Sequence, residues 1–251
     1  MSSDRERLEA LLGRAEELVE QAKSTDYVMP VVLPFAPAIL VVMGFILVIV
    51  GLVGMTADSA AAYVLFTGLA VLFAGIAVNF YVVYKWVARR NAHFRRSLQL
   101  FEVLAEVAEL LRFRRSYAVR SRLNELRVVN SRTRSALANA LLIVVPLYIY
   151  YVFHFLNKDF SEHSVKEKLL VAELLEDLRE RMPSFARRPD EFAEVPSRST
   201  FLYLILTWVT GLFMLYWVYT LTKDPNQHFE SHAVLEHELI TALKHLSTQT
   251  T

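Results

Sequence analysis

The sequence predicts an all-α integral membrane protein with four transmembrane helices and amphipathic helices outside the bilayer. Three observations carry this. Four runs, at 38–55, 61–84, 136–156 and 201–221, contain no Asp, Glu, Lys or Arg. Each is close to the roughly 20 apolar residues that cross about 30 Å of hydrocarbon. All 27 basic and 26 acidic residues fall in the segments around these runs. No segment keeps the strict apolar/polar alternation of a β-barrel strand. The pattern excludes a soluble domain, a disordered chain and a single-pass anchor.

Taken in order, residues 1–27 form an amphipathic cytoplasmic helix. Leu8, Leu11, Leu12, Ala15, Leu18, Val19 and Ala22 fall on one stripe, with Glu9, Glu16, Glu17 and Glu20 elsewhere. That stripe needs a cover, which could be another helix of this chain, a second copy or the membrane face. The acidity of the helix argues against anionic lipid. Residues 28–84 form a transmembrane hairpin. Pro30, Pro34 and Pro37 make 28–37 a lead-in, because proline removes a donor and kinks a helix. Gly44/Gly51 and Gly68/Gly75 are each spaced by seven, and small residues at such spacing let helices approach closely in lipid. The connecting turn, 56–60, carries only Asp58.

The segment 85–135 holds 13 basic and 4 acidic residues and reads as cytoplasmic helix. Strict alternation then puts both termini inside and 157–200 outside. The weak point is that 157–200 itself carries eight basic residues. Its side stays open, because a third run re-entrant around Pro146 would reverse it. Span three is 136–156 and span four 201–222. A proline-broken loop precedes span four, and 223–251 forms a last amphipathic helix. The absence of cysteine removes disulfides, thiolate metal sites and cysteine nucleophiles.

The chain resembles itself at two offsets. Shifting by 65 places Lys223-Asp224 on Lys158-Asp159, His228 on His163 and Leu235 on Leu170. Shifting by 135 places Asn226, His228 and Phe229 on Asn91, His93 and Phe94. The unit is a span with an aromatic end, a polar hinge bearing a histidine, and an amphipathic helix, and it occurs three times. Tyr81, Tyr84 and Trp86 mark the first membrane exit, Tyr151 the second, and Tyr216, Trp217 and Tyr219 the third, as interfacial anchors.

The last unit, about residues 203–240, resembles an uncharacterised family of small prokaryotic membrane proteins, a domain of unknown function. The shared pattern is Gly-x-aromatic-x-x-Tyr-Trp-x-Tyr followed by Asp, Asn and His. Here these are Gly211, Phe213, Tyr216, Trp217 and Tyr219, then Asp224, Asn226 and His228. The family usually has Thr two residues before the Gly, where this chain has Val209. The resemblance implies a protein of a prokaryotic cell membrane and no activity.

His228, His232 and Glu236 are spaced by four and share one helical face, a set able to ligate a divalent metal. The sequence demands no other cofactor. A convergence of the hinge histidines His93, His163 and His228 is disfavoured, because alternating topology puts His163 across the membrane. Asn79 is the main strongly polar side chain deep in a span, read as an interhelical hydrogen bond or a pore residue. No span carries a charge, which argues against an ion-coupled transporter. The leading function is therefore non-catalytic: a structural, accessory or assembly subunit of a membrane complex, or a homo-oligomeric scaffold. A channel or small-solute transporter and a membrane metalloprotein are the alternatives. The expected partners are the lipid bilayer and further copies or other membrane subunits, with no nucleic acid.

Overall fold

A computed structural model describes residues 2–55 and 60–249. Among them it contains eight α-helices and no strand. The four residues 56–59 of the expected turn lie outside the described part. The helices are α1 (Ser2–Thr25), α2 (Ala36–Gly54), α3 (Ala61–Leu110), α4 (Ser116–Asn130), α5 (Ala136–Leu142), α6 (Tyr148–Arg181), α7 (Thr200–Thr210) and α8 (Phe213–Gln249).

Two helical stretches are long and apolar enough to cross a membrane: Leu33–Gly54, and the apolar first part of Ala61–Leu110. They pack through their glycines. A Cβ on Gly51 would lie 2.5 Å from the Leu65 nitrogen, and one on Gly68 would lie 2.6 Å from the Val48 nitrogen. Only glycine permits backbones this close, so the seven-residue spacing was the right signal. The outward faces stay apolar and exposed, with Ile46, Val53, Phe66 and Phe73 among them.

The third and fourth apolar runs are not the single helices expected. The third is split into α5 and the start of α6, with a break at 143–147 in which Leu147 takes φ 67°. Pro146 explains this break, since it has no N–H to continue the helix and restricts the residue before it. The fourth run is split at Gly211, which takes φ 66°, the conformation glycine adopts most readily. Among the described residues, two stretches rather than four are continuous apolar helices of crossing length.

The charged sequence folds into one bundle. The α1 stripe is covered by this chain's own helices. Leu12, Ala15 and Leu18 join a core with Leu104, Val107, Leu170, Leu174, Leu239 and Leu243. Arg7 pairs with Glu106 at 2.9 Å, and Lys244 pairs with Glu16. Segment 157–200 packs on 85–135 rather than facing away from it. Arg132 meets Glu162 at 2.9 Å and Arg115 meets Glu173 at 3.0 Å. The two segments therefore belong to one packed bundle, whereas strict alternation of four spans would set them apart.

Candidate metal centre

Four histidines and one glutamate meet at the middle of this bundle. His93 comes from α3, His163 and Glu167 from α6, and His228 and His232 from α8. All five have no exposed surface. His163/Glu167 and His228/His232 are i,i+4 pairs, so each helix presents two donors on one face. Thus the three hinge histidines do converge, against the expectation drawn from alternating topology.

The imidazole edges point in a consistent way. On the outer side, His163 Nδ1 lies 2.8 Å from Asn130 Oδ1, and the Asn130 amide is oriented by donating to the Phe94 carbonyl at 2.8 Å. His228 Nδ1 lies 2.8 Å from the Ala193 carbonyl. His232 Nδ1 lies 2.7 Å from Glu236 Oε1. His93 Nδ1 stands 3.0 Å from Asp26 Oδ2. Asn130, Ala193 and Glu236 can each accept from the facing Nδ1, while His93 Nδ1 stands near Asp26 without completing a hydrogen bond.

The inner side gathers the Nε2 atoms around Glu167. His93 Nε2 and His163 Nε2 are 3.1 Å apart. Glu167 Oε2 lies 3.0 Å from His163 Nε2, 2.9 Å from His232 Nε2 and 3.3 Å from His228 Nε2. The His228 Nε2 has no hydrogen-bond partner. Ser97 donates to the other oxygen of Glu167. Buried lone pairs facing one point repel unless a cation lies between them.

Around this core, Arg96 bridges two carboxylates. Its guanidinium reaches Glu236 at 2.7 Å and 3.0 Å, and Asp26 at 2.7 Å. Glu236, expected as a ligand, is therefore occupied behind His232 and orients it. Three carboxylates against one guanidinium leave two negative charges with the imidazoles neutral. Burial raises Asp26, but His93 and Arg96 outweigh it and hold the carboxyl well below its usual range. Burial acts the same way on Glu167, and the neighbouring His163 and His232 pull it well below. Burial pushes His93 well down and His228 to about 4. His232 goes the other way: burial opposes its charge, yet Glu167 and Glu236 raise it to about 10.

The backbone that delivers His228 is itself supported. Pro225 lies inside α8 and has no N–H for the Leu221 carbonyl. Arg89 fills that gap, donating to Leu221 O at 3.0 Å and to Asn226 Oδ1 at 2.7 Å. Asn226 in turn pairs with both backbone groups of Met29, at 2.7 and 3.1 Å. The lead-in after α1 is thus pinned next to Asp26.

Trp86 and Trp217, expected at the interface, are interior. Trp86 donates to Thr222 Oγ1 at 3.1 Å, and Trp217 packs among Tyr150, Phe153 and Tyr203. Tyr81, Tyr84, Tyr151 and Tyr216 are exposed, and Tyr219 is half-buried with Lys223 over its ring. Asn79 lines a largely apolar cavity of about 540 Å³, together with Pro37, Gly75, Trp86, Phe153 and Val218.

Sequence reasoning found His228 and His232 but not Glu167, Asp26, Arg96 or Ser97. A signal for two of these lay in the repeat. The offsets that align His228 with His163 and His93 also align His232 with Glu167 and Ser97. All three are polar residues on faces where leucine is the rule. No protein-family model matches the chain, and no curated protein and no solved structure matches it.

Proposed function

We propose that this chain is a metalloprotein of the prokaryotic cell membrane, in which His93, His163, Glu167, His228 and His232 hold one divalent transition-metal ion. The observation that carries the reading is the convergence of four Nε2 atoms and one carboxylate oxygen, with the Nδ1 atoms of His163, His228 and His232 bonded to outer acceptors. Ligating histidines are held in this way, by a carboxylate or carbonyl on the far ring nitrogen. Once the His232 proton is displaced, a dication would balance the two negative charges left by Asp26, Glu167, Glu236 and Arg96.

Ligand atoms of His93, Glu167, His228 and His232 all lie within 4.8 Å of one another, close enough to share one ion, and His163 Nε2 adjoins the group at 3.1 Å from His93 Nε2. Imidazole nitrogens with one carboxylate suit a divalent transition metal.

The role is structural rather than catalytic. None of the five donors lines the cavities of about 630, 540 and 340 Å³. The ion would tie α3, α6 and α8 together, with α1 held through Asp26. This joins the non-catalytic reading to the metal reading: a metal-clamped bundle on a membrane anchor, serving as a subunit or scaffold. Cytoplasmic termini are the orientation that Lys and Arg next to the spans favour.

The test is metal content after mild detergent extraction. One divalent ion per chain is expected, with loss in His232→Ala and in His93→Ala. Glu236→Gln and Asp26→Asn should retain the ion but weaken its binding by about 10–100-fold. A wild-type protein that holds no ion after exposure to manganese, iron, cobalt, nickel, copper and zinc in turn would end the reading.

A further inference from the structure

We propose that the third and fourth apolar runs are half-membrane hairpins that enter one leaflet and return to the same side, so that the chain crosses the bilayer only twice. The proposal rests on the membrane reading but not on the metal.

The bases of the two hairpins are closed by ion pairs. Arg134, just before α5, meets Asp159 of α6 at 2.7 Å. Arg198, just before α7, meets Asp224 of α8 at 2.6 Å. Each arginine sits at the start of an apolar run and each aspartate just past its end. Both ends of each run therefore lie at one level. The two bases also adjoin each other, through His154 Nδ1 and Thr200 Oγ1 at 2.8 Å.

Length agrees. The seven residues of α5 and the eleven of α7 span about 10 and 16 Å at 1.5 Å per residue. The hydrocarbon core is about 30 Å thick, so neither reaches the far side. By contrast, the 22 residues of Leu33–Gly54 span about 33 Å.

The tips are built for lipid rather than water. Val144, Leu147, Trp208, Val209 and Leu212 are each exposed over more than 60% of their surface. They extend the exposed apolar surface of α2 and α3. Irregular backbone in lipid must satisfy its polar groups internally. Here Val144 and Val145 donate to Leu141 and Leu142, and Tyr148 donates to Val145. At the second tip Gly211 donates to Thr207, Leu215 donates to Leu212, and Phe213 N donates to the Thr210 hydroxyl. Ser135 and Ser199 cap the two descending helices at the base, each accepting from the backbone three residues on.

Charge distribution supports the same topology. With both hairpins returning, all 27 basic residues lie on one side, and only Asp58 lies in the turn on the other. The eight basic residues of 157–200 no longer violate the orientation rule.

The chain has no cysteine, so single cysteines can be introduced without background. In sealed, oriented membrane vesicles, Tyr117→Cys, Asp190→Cys and Thr241→Cys are each probed with a membrane-impermeant maleimide, and Ala60→Cys reports the other face. The proposal expects the first three to label from one side and Ala60→Cys from the opposite side. Val144→Cys and Val209→Cys should stay unlabelled from both sides until detergent is added. Labelling of Asp190→Cys from the side opposite Tyr117→Cys would overturn the proposal, as would labelling of either tip from the Ala60 side. Labelling of the tips from the Tyr117 side would remove them from the bilayer altogether. Metal content measured on the same variants reports the centre separately.

Discussion

The α2–α3 pair and the bundle below it hold themselves together in opposite ways. In the apolar pair, the contact is backbone against backbone through Gly44, Gly51, Gly68 and Gly75, with no charged residue in the interface. In the bundle, the deepest residues are His93, Arg96, Glu167, His228 and His232, among leucines. The first region has no desolvation penalty and gains from close packing. The second carries several buried ionic groups and depends on each having its counterpart. A substitution should therefore fail locally in the first region and cooperatively in the second.

The largest effect is expected from Glu167→Leu. It removes the one carboxylate that faces three imidazoles, and breaking a buried pair costs about 3–5 kcal/mol. Unfolding monitored by tryptophan fluorescence in detergent should show a large fall in Tm together with loss of bound metal. A variant of unchanged Tm would mean the cluster is not coupled through Glu167.

Arg198→Ala and Arg134→Ala sharpen the comparison within the charged region. Asp159 keeps a second cation, Arg90, at 2.9 Å after Arg134 is removed. Among the described residues, Arg198 is the one ion-pair partner of Asp224. Arg198→Ala should therefore cost more, about 3 kcal/mol against about 1 kcal/mol. Equal Tm shifts would contradict the assignment of the two bases.

Gly51→Val probes the apolar region alone. Its Cβ would stand 2.5 Å from the Leu65 nitrogen, and overpacking of this kind costs about 1–3 kcal/mol. The α2–α3 pair should open, read as a new protease cut between the spans, while metal content stays at the wild-type value. Loss of metal in this variant would show that the two regions are not separable.

Close to neutrality, the smallest effect is the pH dependence of the metal-free protein. His232, raised to about 10, contributes stability that is complete below the unfolded pKa of about 6.5 and is lost as pH rises towards 10. His228, lowered to about 4, acts in reverse: stability falls as pH drops from about 6.5 to 4. Tm should peak between these limbs, near neutrality. A divalent ion takes the place of the His232 proton, so one proton should be released per ion bound at pH 7, measurable by calorimetry in buffers of different ionisation enthalpy.

Much of this architecture was legible in the sequence. Period and charge located the α1 stripe, the long amphipathic parts of α3, α6 and α8, and the glycine contacts of α2 and α3. What composition alone did not show was where an apolar run stops being a helix. Residues 136–156 and 201–221 have the length of a span, yet Pro146 and Gly211 divide them. Strict alternation of full crossings sets 157–200 opposite 85–135, whereas in the fold the two segments pack together and bring His163 to His93. The site residues followed the same logic. His228 and His232 stand four apart in one helix and were visible, whereas Asp26 and Arg96 join them only through packing of α1, α3 and α8.

One feature of α3 has a mechanical consequence. It runs for 50 residues with no proline and no described break, a beam of about 75 Å from the apolar layer to the end of the bundle. Pro225 gives α8 a place to bend; α3 has none. A longer or shorter hydrocarbon layer is met by tilting such a helix. On the hairpin topology proposed above, His163 and His228 ride on helices that begin only part-way into the layer, so a change in bilayer thickness would shear the α3 wall of the histidine cage against the other two.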